Sequence, residues 1–346
     1  MKVMGIISSP DDPASRARIL QYVPYFMQKG QELFCKFFRP FRDANPPKWS
    51  YILKKITGIN EWRSSDFLKS VGRIPLLFSQ SGYDIIWQNR LIQLQHTFWE
   101  NRLKKPVVFD LDDAIWINEG ETQVRKKIEM SQLIFAGNEY LAEYASRFNA
   151  NVKIIPTTID TNTLYPLPPA PGKFIIGWSG TQSNFQYLES IMPPLTEFLK
   201  SDPDACLMIV SSAMPGFLTG IHKQVIFKKW DARCENELVN QFSVGIMPLA
   251  DNEWTKGKCG YKLLQYLACG KPVIASPVGV NGKILTEADI GFSAKSDREW
   301  YNAFWALKND YALAIQKGNA GRKLVLDKYS CSVWTNQIID YMKYYC

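Results

Sequence analysis

The sequence is poor in the residues that build metal and disulfide sites. It has two histidines, His96 and His222. They show no mutual spacing that suggests a relay or a metal pair, and each reads as structural. The seven cysteines are an odd number, scattered, with no C-x-x-C pair. That argues against a disulfide framework or a zinc site and for reduced thiols in a cytoplasmic protein. No run approaches the ~18 apolar residues of a spanning helix. The segment Met1–Ser9 is too short in its apolar part for a signal peptide and reads as a first strand. No internal repeat is visible.

What is there fits a folded chain of two domains. At 346 residues the sequence is long for one core, and 46% hydrophobic with 21% charged residues is ordinary globular composition. The net charge of +8 is concentrated. Residues 16–73 contain 12 Lys or Arg and 4 Asp or Glu, a difference of +8. Phe34, Phe37, Phe38, Phe41, Trp49, Tyr51, Trp62 and Phe67 are interleaved with them. Such a pattern suits an anionic membrane surface or a phosphorylated ligand, and equally a solvated basic face with aromatics packed inward.

Strand and helix patterns alternate along both halves. In the first half, strands are expected at Val3–Ile7, Leu33–Phe38, Asp84–Trp87, Pro106–Asp110, Leu133–Ala136 and Val152–Ile155. Helical spacing covers Ala14–Gln28, Leu91–Arg102 and Glu139–Phe148. The proline-rich run from Tyr165 to Gly172 supports neither element and reads as the linker. Strands are then expected at Phe174–Trp178, Cys206–Val210, Val225–Phe227, Val244–Leu249 and Pro272–Ala275. Helices are expected at Asn184–Lys200, Glu235–Phe242 and Tyr261–Cys269, with three more near Arg298–Lys308, Leu313–Asp327 and Val333–Tyr344. This rhythm predicts an α/β fold of two Rossmann-like domains facing a cleft, with ligands at strand carboxyl ends. The expected division is 1–168, 169–328 and a C-terminal helix 329–346 that returns to the first domain.

The segment Lys256–Asn281 carries the chemistry. It reads as a glycine-containing loop, a helix, a tight turn, a buried strand and a second glycine turn. Gly257 and Gly260 permit close backbone approach to a ligand. The helix N-terminus near Gly260 offers N–H groups to a phosphate, and Lys258 and Lys262 add charge. The same glycines also fit plain turns, and the same lysines a solvated face.

This run resembles the C-terminal signature of retaining GT-B glycosyltransferases of family 4, in particular the bacterial cell-envelope polysaccharide branch. The likeness extends to Ile176–Gly180 with Asn184 and Leu188, to Trp230, to Gly245–Leu249 and to Ser276–Asn281. In the first half Ser15–Arg18 and Phe109–Asp113 match more loosely. The resemblance implies a first domain on the acceptor side and a second holding a UDP-, GDP- or dTDP-sugar. It implies no cofactor and no bound metal. On it, Gly180, Trp230, Lys258, Gly260, Tyr261, Lys262 and Gln265 are expected to bind the donor nucleotide and diphosphate. Family members often carry two glutamates flanking seven residues, and here those positions are Gly257 and Gln265.

Asp110, Asp112 and Asp113 follow a strand, and Asp112 and Asp113 are the catalytic-face candidates. The trio reads as a donor or acceptor contact, a Mg²⁺ site, or a structural cap. Arg16 and Arg18 open a helix after the first strand and suit a donor or lipid-acceptor phosphate, or an exposed helix start. The expected function is retaining, metal-independent transfer of a sugar to a glycan or lipid-linked acceptor, by a cytoplasmic protein peripheral to the inner membrane face. The alternative is a non-catalytic GT-B-shaped binding or scaffolding subunit. The basic stretch lacks any nucleic-acid-binding pattern, so no nucleic-acid partner is expected.

Overall fold

The computed structural model describes residues 1–37, 74–92, 99–168, 172–218 and 220–346. Most of the basic, aromatic stretch, His96 and the middle of the helix expected at Leu91–Arg102 lie outside the described residues.

The chain divides into two compact units, Met1–Ile155 with Thr335–Cys346, and Pro156–Trp334. The first holds strands β1 (Lys2–Ile7), β2 (Glu32–Phe37), β3 (Ile85–Asn89), β4 (Val107–Leu111), β5 (Leu133–Ala136) and β6 (Val152–Ile154). They form one sheet in the order β2-β1-β3-β4-β5-β6. The second holds β7 (Phe174–Ser179), β8 (Ala205–Ser211), β9 (Val225–Lys229), β10 (Val244–Met247), β11 (Val273–Ala275) and β12 (Gly291–Ser293). Their order is β12-β11-β10-β7-β8-β9. Every strand pairing is parallel. Strands such as β4 and β8 are buried at every residue, as expected of parallel strands covered on both faces. The two Rossmann-like units expected from the alternation are thus present. β12 was not foreseen, because Phe292 is the single large apolar residue among its three.

Proline explains two further differences. The helix expected over Ala14–Gln28 is split into Pro13–Arg18, a 3₁₀ turn at Leu20–Tyr22, and Val23–Gln28 with Pro24 in its first turn. Asn184–Lys200 likewise becomes Phe185–Glu189 and Met192–Ser201, the second opening on Pro193. Proline lacks the N–H that would continue a preceding helix and is tolerated in a first turn.

The division falls ahead of the proline run because that run is bonded into the second unit. The backbone N–H groups of Tyr165 and Leu167 donate to the Asn236 and Asn240 side chains at 3.0 and 2.8 Å. At the other end, helix Tyr311–Leu324 loosens into a π turn at Val325–Tyr329. Helix Cys331–Lys343 follows, and its residues from Thr335 belong to the first unit. There Ile338, Ile339 and Met342 are buried, and the Tyr341 ring lies 6.3 Å from that of Phe135. Among the described residues no helix is long and apolar enough to cross a membrane.

Candidate active site

In the second unit the strand order reverses between β7 and β10, the point where an open parallel sheet leaves a crevice at its strand ends. β7 ends at Ser179, whose N–H donates to the buried Tyr266 hydroxyl at 2.9 Å. Gly180 follows. A Cβ there would collide with the Lys262 ammonium and lie 2.6 Å from Cη2 of Trp178, so a larger residue would displace this lysine. The Lys262 Nζ stands 4.7 Å from the centre of the Trp178 ring. The Lys258 Nζ stands 5.3 Å from the Trp254 ring and 6.0 Å from that of Tyr187. Cation–π contacts thus hold both ammonium groups on aromatic faces.

Two helix N-termini adjoin these lysines in sequence. Helix Tyr261–Ala268 starts from Gly260 at φ +69°, and helix Val280–Glu287 from Gly279 at φ +52°. Both conformations favour glycine, and neither start is closed by a side-chain cap. The two turns pack on the same loop. A Cβ on Gly279 would meet the Lys256 carbonyl oxygen at 3.0 Å, and one on Gly260 would meet Asn281 Oδ1 at 3.7 Å. Helix starts of this kind attract anions. Gln265 is buried on the first of these helices, and its Nε2 has no partner among the described residues. Tyr261 is half-buried and packs on the main core of the unit. Trp230 stands apart, just beyond the edge strand β9. Its indole donates to Glu235 at 2.9 Å.

In the first unit the order reverses between β1 and β3. Here the structure corrects the expectation for Arg18. The side chain is 2% exposed. Its Nε donates to Asp110 Oδ1 at 2.8 Å and one terminal nitrogen to the Ile155 carbonyl at 2.8 Å. Trp87 donates to the other oxygen of Asp110 at 2.9 Å. Arg18 therefore closes a buried ion pair and is not presented to a phosphate. Asp110, on the adjacent part of the sheet, is the counter-charge that makes burial of the guanidinium tolerable. Arg16, on the same helix, is half-buried.

Asp112 and Asp113 follow β4 as expected. Between them and β3 lies a residue the sequence reading missed, Arg90. Its guanidinium reaches Asp113 at 2.7 Å, Asp112 at 3.5 Å and Glu119 at 3.5 Å. Arg90 has φ +70°, costly for a residue with a Cβ and frequent at functional positions. The signal was available: a basic residue directly after a strand end, neighbouring the strand that ends in the aspartates. Among the described residues no group of side chains is arranged to hold a metal ion.

Burial pushes the Asp112 carboxyl up to about 6. Arg90 opposes the shift, and Asp113 and Asp110 add to it. The raised value means the folded state holds this proton more tightly than the unfolded chain. Its stabilising effect is present below the ordinary carboxylate range and is lost as pH rises through about 6. Asp112→Asn removes this titration. Its Tm relative to the parent is expected to climb from pH 4 to pH 7, and a difference independent of pH would contradict the assignment.

Residues 174–310, the greater part of the second unit, match the family described as Glycosyl transferases group 1. The whole chain superposes on HepE of Anabaena, solved with UDP and glucose. The TM-score is 0.71 and the identity 14%, over 99% of each chain. It also superposes on sucrose-phosphate synthase from Thermosynechococcus elongatus, with a TM-score of 0.70 and 17% identity, over 99% of this chain and 98% of the other. WaaG, a glycosyltransferase of lipopolysaccharide biosynthesis, gives 0.66 at 11% identity over 98% of each. No curated protein sequence matches the chain. The fold is that of the GT-B glycosyltransferases, as the resemblance implied.

Proposed function

We propose that the protein transfers a sugar from a nucleoside-diphosphate sugar to a glycan or lipid-linked acceptor. The observation that carries the reading is the Lys262 ammonium, seated against Gly180 at the end of β7 in the unit whose helix starts at Gly260 and Gly279 lack side-chain caps. The family match over the same unit supports it, and solved neighbours hold UDP or UDP-glucose.

In this reading Lys262, Lys258 and the Gly260 helix start carry the diphosphate. They stabilise the charge that develops on it as its bond to the sugar carbon breaks. The acceptor oxygen forms its bond on the same face, giving retention, and its proton passes to the departing diphosphate. No metal is needed, because the lysines and the helix start supply the positive charge. Asp112 and Asp113, held by Arg90, are the acceptor-side groups of the first unit. Gln265 offers its amide to the ribose, and Gly180 leaves room for the Lys262 ammonium that meets the phosphates. Trp230 and Tyr261 complete the donor side, and Arg16 is the basic residue of the first helix assigned to an acceptor phosphate.

A thermal-shift panel of UDP, GDP, dTDP and ADP tests the binding half. A ligand that binds only the folded state at 100 times its Kd stabilises by about 2.7 kcal/mol. One of the four is therefore expected to raise Tm by several degrees, and four flat traces would remove the reading.

The surroundings of the acceptor follow from the basic, aromatic stretch of the sequence. We place the protein in the cytoplasm, peripheral on the inner face of a bacterial membrane, at work on an envelope polysaccharide such as lipopolysaccharide or capsule. Neutralising Arg39, Arg42, Lys54 and Lys55 together is expected to release the protein from anionic vesicles, at about 1 kcal/mol per charge. Unchanged co-sedimentation would refute it.

A further inference from the structure

We infer that Glu100 is a positioning residue for the acceptor side: its buried carboxylate clamps the turn from which Arg90 holds Asp112 and Asp113. This rests on the reading of those two aspartates as acceptor-side groups and deepens it.

β3 ends in Gln88 and Asn89, whose side chains point to opposite faces of the sheet. Asn89 Nδ2 donates to Asp112 Oδ1 at 3.3 Å. Arg90 then turns the chain at φ +70° and reaches Asp113 at 2.7 Å and Asp112 at 3.5 Å. A residue with a Cβ keeps that conformation only where its surroundings over-determine it. The backbone just after Arg90 is held at two points by buried side chains. Gln88 Nε2 donates to the Arg90 carbonyl at 2.9 Å. Glu100, in the 3₁₀ turn Glu100–Arg102, accepts the Ile92 N–H on Oε1 at 2.7 Å. Both side chains are buried, Glu100 at 1% exposure.

A buried carboxylate needs a counter-charge. Lys127 supplies it from helix Glu121–Met130, which follows β4. Its ammonium is buried, 5.6 Å from the centre of the Phe109 ring, and Phe109 is the partner of Gln88 across β3 and β4. Burial brings Lys127 down to about 8, and the Glu100 charge opposes that fall. Neither the Lys127 Nζ nor Glu100 Oε2 has a hydrogen-bond partner among the described residues. Two buried charges so poorly answered are a costly way to fill a core, and an apolar pair would pack as well. What the carboxylate adds is a charge-assisted bond to a backbone N–H, roughly twice as strong as a neutral one. That bond falls on the turn that aims Arg90.

The test compares two double variants of the whole chain, Glu100→Gln with Lys127→Met and Glu100→Met with Lys127→Met. Each removes both buried charges, so neither leaves a lone one. They are close in shape and differ in whether Ile92 keeps an acceptor. The first readout is the titration of the Asp112 carboxyl carbon by NMR, identified by its absence in Asp112→Asn. Burial, Arg90, Asp113, Asp110 and Arg18 set its midpoint, and about 6 is expected in the parent and in the glutamine variant. In the methionine variant Arg90 relaxes away from the aspartates and its opposing charge is lost. The midpoint there is expected to rise by about one unit. The second readout is the initial rate of transfer at saturating labelled donor and limiting membrane-extract acceptor. It is expected to fall about 10-fold in the methionine variant, as for a slightly misplaced group, and less than about 3-fold in the glutamine variant. The Kd for the nucleoside diphosphate, held by the second unit, should be unchanged in both. An Asp112 midpoint that stays or falls in the methionine variant overturns the inference, and so does equal behaviour of the two variants. If the methionine variant does not fold, Glu100→Asp decides by the same readouts, since it keeps the charge but falls a methylene short of Ile92. If the parent transfers no sugar, the nucleotide-sugar reading falls and the NMR titration alone decides this inference. If the parent transfers and the midpoint does not move, only this inference falls.

Discussion

Lys262→Met is expected to weaken nucleoside-diphosphate binding by about 100-fold while leaving Tm within a few degrees. The methionine keeps the length and the contact with the Trp178 ring. What is lost is the ammonium that lies against Gly180, where a diphosphate following β7 would sit. Removing a charged hydrogen-bond donor from a partly desolvated anion site costs roughly 1.5–3 kcal/mol, and each 1.4 kcal/mol is tenfold in Kd. Gly180→Ala approaches the same site from the other side. Its Cβ would displace the ammonium and press on the Trp178 ring, so binding should fall in that variant too. Titration calorimetry of both variants reads the effect. If Lys262→Met binds as the parent does, Lys262 is a surface lysine and the diphosphate site is misplaced.

The second large effect is on stability. Arg18→Leu leaves the fully buried Asp110 carboxylate with the Trp87 N–H as its remaining side-chain donor among the contacts described above. Burial already drives the Asp110 carboxyl upward, and the Arg18 charge and hydrogen bond oppose it. Breaking a buried pair by removing one partner typically costs about 3–5 kcal/mol. Tm in a scan of the whole chain should fall on the order of 10 °C. The double variant Arg18→Leu, Asp110→Leu should be less destabilised than either single change, because no lone charge remains. Strictly additive losses would show that the two side chains act independently.

These two cases show what the sequence makes legible. The alternation of strands and helices was readable because parallel strands covered on both faces are nearly continuous apolar runs, as β8 is. The loop of Gly257 and Gly260 and the helix that follows were readable because glycine and a run at helical spacing are local signals. Long-range pairing was not local. Arg18 and Asp110 are 92 residues apart. Nothing near Arg18 says that its guanidinium turns inward, so an arginine beside a strand end resembled a phosphate ligand. Arg90 escaped for a related reason. Its meaning comes from Asp112 and Asp113 on the adjacent strand's end, and strand order is a tertiary fact. The division between units was misjudged at the proline run because Asn236 and Asn240, some 70 residues later, bond that run to the second unit.

Gly257 and Gln265 leave one competing account, a GT-B-shaped subunit that binds without catalysing. Transfer itself separates the two. The purified chain is incubated with EDTA, a membrane extract as acceptor, and a panel of labelled nucleotide sugars, neutral and acidic, on the base that binds. Released nucleoside diphosphate and labelled product are measured together, with the anomeric configuration of the new linkage read by NMR. The account predicts equal amounts of diphosphate and product from at least one donor, with the donor's configuration kept, and loss of both in Lys262→Met. Nucleotide binding without release of diphosphate from any donor would contradict it.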